Sequence, residues 1–163
     1  MMTVEELRAM IAGGETPTVE FKSDLDLLPD PDLLETVVCL ANYRGGILLV
    51  GVEDSGKVTG LHRKHRTNPA MLAAFVASRT VPPLSVDCDF ISLPEGPVAV
   101  ITVPAAPQPV ATSDGKVLIR YTNPDGQPGC RSLYPHELVG WRADRGMADF
   151  TAMTLSGTAW TDL

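Results

Sequence analysis

A short apolar run between two glycines and two acids organises the hydrophobic pattern of the chain. Ile47 to Val52 is β-prone and nearly all apolar, follows Gly45-Gly46 and runs directly into Glu53-Asp54. A run of this length, bounded by turn residues, is typical of a central strand buried on both faces. Because a central strand delivers the residues after it to the edge of a sheet, the pattern predicts that Glu53 and Asp54 stand at that edge.

Helical spacing of apolar residues predicts four helices. The first begins at a capping box made by Thr3 with Glu6. Asp30-Pro31 and Asn68-Pro69 are typical starts for the second and third, and a short last helix is expected near residues 135–143. The positions expected to face the core are Val4, Leu7 and Ile11, then Leu34, Val37, Val38 and Ala41, then Leu72, Phe75 and Val76.

Alternating and apolar runs predict the remaining strands. In residues 18–22, Val19 and Phe21 share one face while Glu20 and Lys22 share the other. Further strands are expected at residues 86–93, 98–103 and 116–121, and a loop at residues 123–129.

The order of these elements is α-β-α-β-α-β-β-β-α, which favours the α+β class with a mixed β-sheet and flanking helices. A length of 163 residues suits one domain. We expect this domain at residues 1–145. Residues 146–163 have no clear period, and we interpret them as a C-terminal tail that acts either as a strap on its own domain or as an interaction segment.

The net charge of −7 comes from the first third of the chain. Residues 1–60 hold 11 of the 20 acids but only 4 of the 13 bases. This excess argues against phosphate binding by the whole surface, but not against a local basic site. The candidate is the cluster His62 to His65 with Arg66, in which Arg63, Lys64 and Arg66 carry the charge. Such a run is either a phosphate-contact patch or a solvated loop, and the sequence favours neither.

Three features of the sequence predict the localisation of the protein. No apolar run approaches the length of about 18 residues that a membrane span requires, and the acidic start does not fit a secretory signal. The cysteines Cys39, Cys88 and Cys130 are odd in number and far apart, which indicates reduced thiols in a cytoplasmic protein. With His62 and His65 they show no zinc spacing, so no zinc is expected.

Residues 51–58 nearly spell the phosphate-binding loop of nucleotide-binding proteins. The position that would hold magnesium is Val58, and Glu53 and Asp54 lie inside the loop. Interior carboxylates oppose a bound anion. A simple turn is the better interpretation, and no nucleotide cofactor is expected.

Glu15, Glu20 and Asp54 are the candidate catalytic and metal-binding residues. Three carboxylates that converge at a sheet edge offer the oxygen ligands that Mg²⁺ and Mn²⁺ prefer. Such ions activate water and neutralise a scissile phosphate. The alternative, which spacing alone favours, is that all three are solvated surface acids.

Several motifs in a fixed order carry a family resemblance. They are Glu15-x4-Glu20-Phe21-Lys22, Leu40-Ala41-Asn42-x2-Gly45-Gly46, the run from Leu48 to Asp54 with Gly56 and Gly60, and later Val100 to Pro104, Pro109 and Leu118-Ile119-Arg120. In this order they resemble the Schlafen AlbA_2 domain over residues 3–124, with the helix to Ala143 as an extension.

The resemblance implies both a function and a site. Prokaryotic members are described as nucleic-acid-binding domains, often attached to transcriptional regulators. The resemblance implies a bacterial protein of this kind. In animal Schlafens the domain cleaves tRNA and other structured RNA with three carboxylates and a divalent metal. Those carboxylates match Glu15, Glu20 and Asp54, which implies Mg²⁺ or Mn²⁺ as cofactor.

The chain also departs from the family pattern. Tyr43-Arg44 stands where the family has Thr or Ser before the two glycines, and Glu53 replaces the usual first Asp of the acid pair. Animal enzymes clamp RNA between two copies of the domain, and this chain has room for one. A homodimer is therefore expected if the clamp is to be rebuilt, and the tail is the expected contact.

Three hypotheses remain after this comparison. The first is a nucleic-acid-binding module with metal-dependent endoribonuclease activity, in which Lys22, Arg63, Lys64, Arg66 and Arg120 contact phosphates. The second is a non-catalytic DNA-binding or transcriptional regulatory module. The third is an assembly or interaction domain. The expected partner is RNA or DNA, with no membrane.

Overall fold

The computed structural model describes residues 1–144, and the predicted tail lies outside them. The helices are α1 (Val4–Ala12), α2 (Asp30–Tyr43), α3 (Pro69–Ser78) and α4 (Leu138–Asp144), the last preceded by a 3-10 turn at Pro135–Glu137. The strands are β1 (Val19–Lys22), β2 (Gly46–Val50), β3 (Thr80–Val81), β4 (Asp87–Leu93), β5 (Gly96–Val103), β6 (Ala111–Thr112), β7 (Leu118–Thr122) and β8 (Pro128–Ser132). The division into a domain at residues 1–145 and a tail stays a prediction.

The main sheet has four strands in the order β1-β2-β5-β4. β1 runs parallel to β2, while β2–β5 and β4–β5 are antiparallel pairs, so the sheet is mixed. Two small ribbons, β3–β6 and β7–β8, complete the described strands. The α+β prediction is confirmed, and β2 is the central strand that the apolar run indicated.

Each face of the sheet carries its own core. On one face α2 and α3 cover Leu48, Val50 and Ile101, and on the other α1 packs through Leu7 against Phe21 and Leu49. This split follows from strand alternation, because consecutive β2 residues point to opposite faces. The expectation for Val4 is wrong: this residue lies in the first turn of α1 and is 42% exposed.

The link from α2 to β2 depends on close backbone contacts. Gly45 and Gly46 have φ values of +73° and +151°, which side chains rarely tolerate. A Cβ on Gly45 would lie 2.5 Å from the Val103 carbonyl oxygen, and one on Gly46 would overlap the Thr18 carbonyl. Both glycines are therefore required where α2 turns into the sheet.

Asn42 ties the end of α2 to the segments that follow the sheet. Its fully buried amide Nδ2 donates to the carbonyls of Val110 and Leu118, each at 2.8 Å. Its Oδ1 accepts from Val110 N at 2.8 Å, and its own carbonyl accepts from Trp141 Nε1 at 2.6 Å. The Asn42 side chain thereby fixes α2 against β7, and its backbone carbonyl fixes α2 against α4.

Two predictions are corrected in the β7–β8 hairpin. The predicted loop at residues 123–129 leads into a strand, β8, because the chain turns back at Gly126 and Asn123 N donates to the Gln127 carbonyl at 2.7 Å. Within β8, Cys130 forms a disulfide with Cys39 of α2. The prediction of three reduced thiols is therefore wrong. The sequence carries no sign of this disulfide, because two cysteines that are 91 residues apart form no local motif.

No helix within residues 1–144 is long and apolar enough to cross a membrane. The cytoplasmic location stays a prediction.

Candidate functional site

The ends of β1 and β2 meet at one edge of the sheet because the two strands are parallel. Gly51 N donates to the Lys22 carbonyl at 2.8 Å. One residue further along, Ser23 Oγ donates to Glu53 Oε1 at 2.9 Å. The segments after the two strands are therefore fastened together where the sequence predicted the acids.

Glu15 lies against the open edge of β1. Its Oε1 accepts a hydrogen bond from Phe21 N at 2.9 Å, which satisfies a strand donor that faces away from β2. Burial raises the pKa of the Glu15 carboxyl above its usual value, and repulsion by Glu20 and Asp54 raises that pKa further. The Phe21 N–H and Lys22 act in the opposite direction. Glu15 therefore lies close enough to both other acids to interact with them.

Glu20 is held between two cations. Its Oε2 accepts from Arg120 Nη1 at 2.7 Å, and its Oε1 lies 3.3 Å from Lys22 Nζ. The Glu20 side chain is 13% exposed. The carboxylate is thus present at the predicted position, but its charge is already balanced within the chain.

Arg120 serves the fold rather than the surface. Its side chain is only 3% exposed, and it also donates to the carbonyls of Thr16 and Pro17 at 2.9 and 3.3 Å. Arg120 stands on β7 directly opposite Cys130, so the disulfide anchors the hairpin at the same level. We assign Arg120 the role of joining this hairpin to β1, in place of the expected phosphate contact.

The two acids after β2 have different surroundings. Glu53 is partly buried, and its Oε1 accepts from both Ser23 Oγ and Thr59 Oγ1, the latter at 3.0 Å. Asp54 is exposed in the turn that follows. Glu53 therefore joins loops, and Asp54 is the acid of the pair that remains at the surface beside Glu15.

The basic loop at residues 62–66 leaves the sheet next to this edge. Arg63 and Lys64 are exposed, while Arg66 Nε donates to the Leu61 carbonyl at 2.6 Å. The loop is fastened to Asp24, two residues beyond Lys22, through a hydrogen bond from His62 N of 2.7 Å. Sequence reasoning missed Asp24, because nothing in the pattern distinguishes it from the exposed Asp26 beside it.

The donor chemistry of the acidic residues suits a divalent ion, although their arrangement is open. Carboxylate oxygens are the ligands that Mg²⁺ and Mn²⁺ prefer, and the pKa of Glu15 is raised first by burial and then by repulsion from Glu20 and Asp54, a repulsion that a bound cation would relieve. Among the described residues, however, no group of three or more His, Cys, Asp or Glu side chains is arranged to hold a metal ion. The metal site therefore stays a prediction.

A separate groove of about 1050 Å³ lies between the end of α2 and α4. Arg44, Arg131, His136 and Trp141 are among its lining residues. Of the predicted site residues only Arg120 lines it, and Glu15, Glu20 and Asp54 do not.

Comparison with known proteins identifies the class. The model of the Schlafen AlbA_2 family matches residues 15–127, which is more than half of the chain, so the protein belongs to this family. The match begins at Glu15 and includes Glu20, Asp54 and Arg120. The resemblance drawn from the motifs is therefore confirmed, and at the level of the family it supports nucleic-acid binding.

A solved structure supports the fold, and a second is similar over part of the chain. The DIP2311 protein from Corynebacterium diphtheriae is similar with a TM-score of 0.63 and 21% identity, over 85% of this chain and 31% of that protein. The chain thus spans about a third of the length of that relative. The N-terminal domain of a protein from Nitrosomonas europaea, named as related to the ATP-dependent DNA helicase RecG, is similar with a TM-score of 0.47 and 24% identity, over 65% of this chain and 75% of that one.

Proposed function

We propose that this protein binds nucleic acid at the edge formed by the ends of β1 and β2, and that it cleaves tRNA or other structured RNA there as a metal-dependent endoribonuclease. The observation that carries the proposal is the segment from Lys22 to Asp24. It contacts the acidic residues through Glu20 and Glu53, and it contacts the basic loop through His62. Phosphate-binding and phosphate-cleaving groups would thus share one surface.

The charge of the chain supports nucleic-acid binding at a local site rather than over a broad surface. The chain carries a net charge of −7, so its surface as a whole does not attract a nucleic acid. Arg63 and Lys64 are exposed, and the Lys22 side chain, two residues before the Asp24 that binds the basic loop, is 33% exposed. These three side chains are the phosphate contacts of the proposal, with Arg66 at the base of the loop.

Glu15, Glu20 and Asp54 would hold Mg²⁺ or Mn²⁺, which when bound would supply a charge that neutralises the phosphate and activates water. The acids of this chain would bind and orient that ion. Lys22, which already contacts Glu20, would approach the same phosphate. No zinc and no nucleotide cofactor enter the proposal.

Binding is tested by the dependence of affinity on salt. A fluorescent RNA hairpin and a DNA duplex of the same sequence are titrated against the wild type, R63A/K64A and the control Arg79→Ala. Arg79 is exposed at the end of α3 and packs over Phe75, away from the proposed edge. Each lost phosphate contact reduces the slope of log K against log salt by about 0.7 to 0.9. We expect a loss in R63A/K64A and none in Arg79→Ala; equal slopes in all three proteins refute the interface.

Cleavage is tested with folded tRNA in Mn²⁺ and in EDTA. Wild type is expected to cut only in Mn²⁺, and Glu20→Gln and Asp54→Asn are expected to abolish cutting while circular dichroism stays unchanged. Millimolar Mn²⁺ should also raise the melting temperature of the wild type, because a ligand that binds only the folded state stabilises it. The same rise in Asp54→Ala would refute the metal site.

A non-catalytic nucleic-acid-binding module, of DNA-binding or regulatory type, is the second candidate. It is favoured by the contacts of Glu20 with Arg120 and Lys22, which balance one carboxylate of the site within the chain. Intact tRNA after prolonged incubation at high protein concentration, with binding retained, would establish this candidate over the first.

Pairing of two copies belongs to the same proposal, since a second domain would complete the clamp that the family resemblance implies. Light scattering at tens of micromolar protein, about the range where weak dimers form, measures it directly. A monomer there, both alone and with RNA, refutes the pairing.

A further inference from the structure

A buried carboxylate stands at the root of the basic loop. Asp24 is 0% exposed, and both of its oxygens are occupied. Oδ1 accepts from Leu28 N at 2.7 Å and Oδ2 accepts from His62 N at 2.7 Å. His65 Nδ1 lies 2.9 Å from each oxygen. Asp24 therefore joins its own loop after β1 to both ends of the segment His62 to His65.

A carboxylate removed from water is costly unless it is hydrogen-bonded or paired. Asp24 meets this requirement only while the basic loop is in place, because two of its three partners are His62 and His65. If the basic loop were displaced, the buried Asp24 carboxylate would keep only the Leu28 N–H of these three partners. The cost of that loss restrains the loop to one arrangement.

The loop itself is closed by further short-range bonds. His65 N donates to the His62 carbonyl at 2.9 Å, and Lys64 N donates to His62 Nδ1 at 3.2 Å. Between the two residues fixed by Asp24 stand Arg63 and Lys64, both exposed. The buried acid thus holds the two exposed cations at the edge where β1 ends.

We propose that Asp24 and His65 are positioning residues for the nucleic-acid interface: they hold the basic loop so that Arg63 and Lys64 meet phosphates without a further ordering cost. The inference rests on the proposed function. Ordering a loop and its long side chains on binding lowers affinity, and a loop already held in its bound form avoids that cost. Asp24 itself touches no phosphate.

The proposal makes a prediction whose sign is opposite to that of simple electrostatics. Asp24→Asn removes a negative charge near the interface, which by charge alone strengthens the binding of an anion. If Asp24 positions the loop, the same change weakens binding. Asp26→Asn is the matched control, because Asp26 is an exposed aspartate two residues away in the same loop.

The first measurement is the binding of the fluorescent RNA hairpin over a range of salt concentrations. Asp24→Asn is expected to bind about tenfold more weakly at low salt, with a slope of log K against log salt reduced by about 0.7 to 1.8 for one or two lost phosphate contacts. Asp26→Asn is expected to bind as the wild type does or more tightly. A partly unfolded variant lowers the active fraction but keeps the slope, so the slope separates positioning from a general loss of structure.

The second measurement needs no nucleic acid. Trypsin cuts after Arg63 and Lys64, and a held loop resists it. Native Asp24→Asn is expected to be cut at this loop about tenfold faster than Asp26→Asn, since cleavage follows the population of the open loop. His65→Ala serves as the milder variant if Asp24→Asn does not fold, because Asp24 then keeps the N–H groups of Leu28 and His62; it is expected to change both readouts in the same direction.

The outcomes separate the two ideas. If the wild type binds RNA and Asp24→Asn binds with the same affinity as Asp26→Asn, the positioning role is overturned and the proposed function stands. A wild type that binds neither RNA nor DNA overturns the proposed function and the positioning role together. Trypsin cleavage of the loop at equal rates in the two variants shows that Asp24 does not hold the loop, and also overturns the inference.

Discussion

Replacing Arg120 by methionine should strongly destabilise the fold. The guanidinium is 3% exposed and contacts Glu20, Thr16 and Pro17. Removing one partner of a buried ion pair costs about 3–5 kcal/mol, because the other charge stays behind unpaired. Glu20 is 13% exposed and keeps Lys22 at 3.3 Å, so the lower end applies, about 3 kcal/mol.

Urea unfolding followed by tryptophan fluorescence measures this loss. A total stability of about 5–15 kcal/mol is usual for a domain, so a loss of about 3 shifts the midpoint clearly. Arg131→Met is the control. Like Arg120, Arg131 donates to a carboxylate, that of Glu137, and does so through two nitrogens, but its side chain is 41% exposed. Exposed pairs contribute little, and we expect about a quarter of the Arg120 effect or less.

The same experiment in a Glu20→Gln background tests the reason. Without the carboxylate charge, the loss caused by Arg120→Met should shrink, because no unpaired charge remains. A loss below about 1 kcal/mol in the single variant would refute the assignment of Arg120 to the fold. An unchanged loss in the Glu20→Gln background would refute Glu20 as its main partner.

Two further predictions concern Glu15 and the cysteines. The folded-state pKa of Glu15 is raised above its ordinary value of 4.5, so its ionisation opposes folding as the pH rises through that pKa. Glu15→Gln, which keeps an acceptor for Phe21 N, should therefore be more stable than the wild type at neutral pH. In melting experiments this difference should vanish below about pH 4. Equal stability of the two proteins at neutral pH would refute the raised pKa. For the disulfide, denatured but unreduced protein should expose one reactive thiol, that of Cys88, and reduction should release the other two; three thiols without reduction would contradict the Cys39–Cys130 bridge.

The main elements could be predicted because their signals are local. The apolar run of β2 lies between turn residues, and the capping box at Thr3 and Glu6 forms in the structure as the spacing indicates. The helix that starts at Asp30-Pro31 buries Val37 and Val38 completely, as its period predicts. In each case the information lies within one turn of helix or one strand.

What the sequence could not supply depends on contacts between distant residues. β8 follows a Gly- and Pro-rich segment and is a strand only because β7 pairs with it. The disulfide joins residues 91 apart, and the partner of Asp24 is a loop about 40 residues further on. The sequence predicted Arg120 as a phosphate contact, whereas the carbonyls of Thr16 and Pro17 give its donors partners inside the fold.

The glycine pair and Asn42 change what a family match means for this chain. Gly45, Gly46 and Asn42 are required by geometry, since the first two leave no space for a side chain and the third replaces missing backbone partners. Residues of this kind report how the chain is folded and carry no information about reactivity. A relative could therefore lose every acid at the β1–β2 edge and still match the family well, so the match by itself does not carry the proposed cleavage, which depends on Glu15, Glu20 and Asp54.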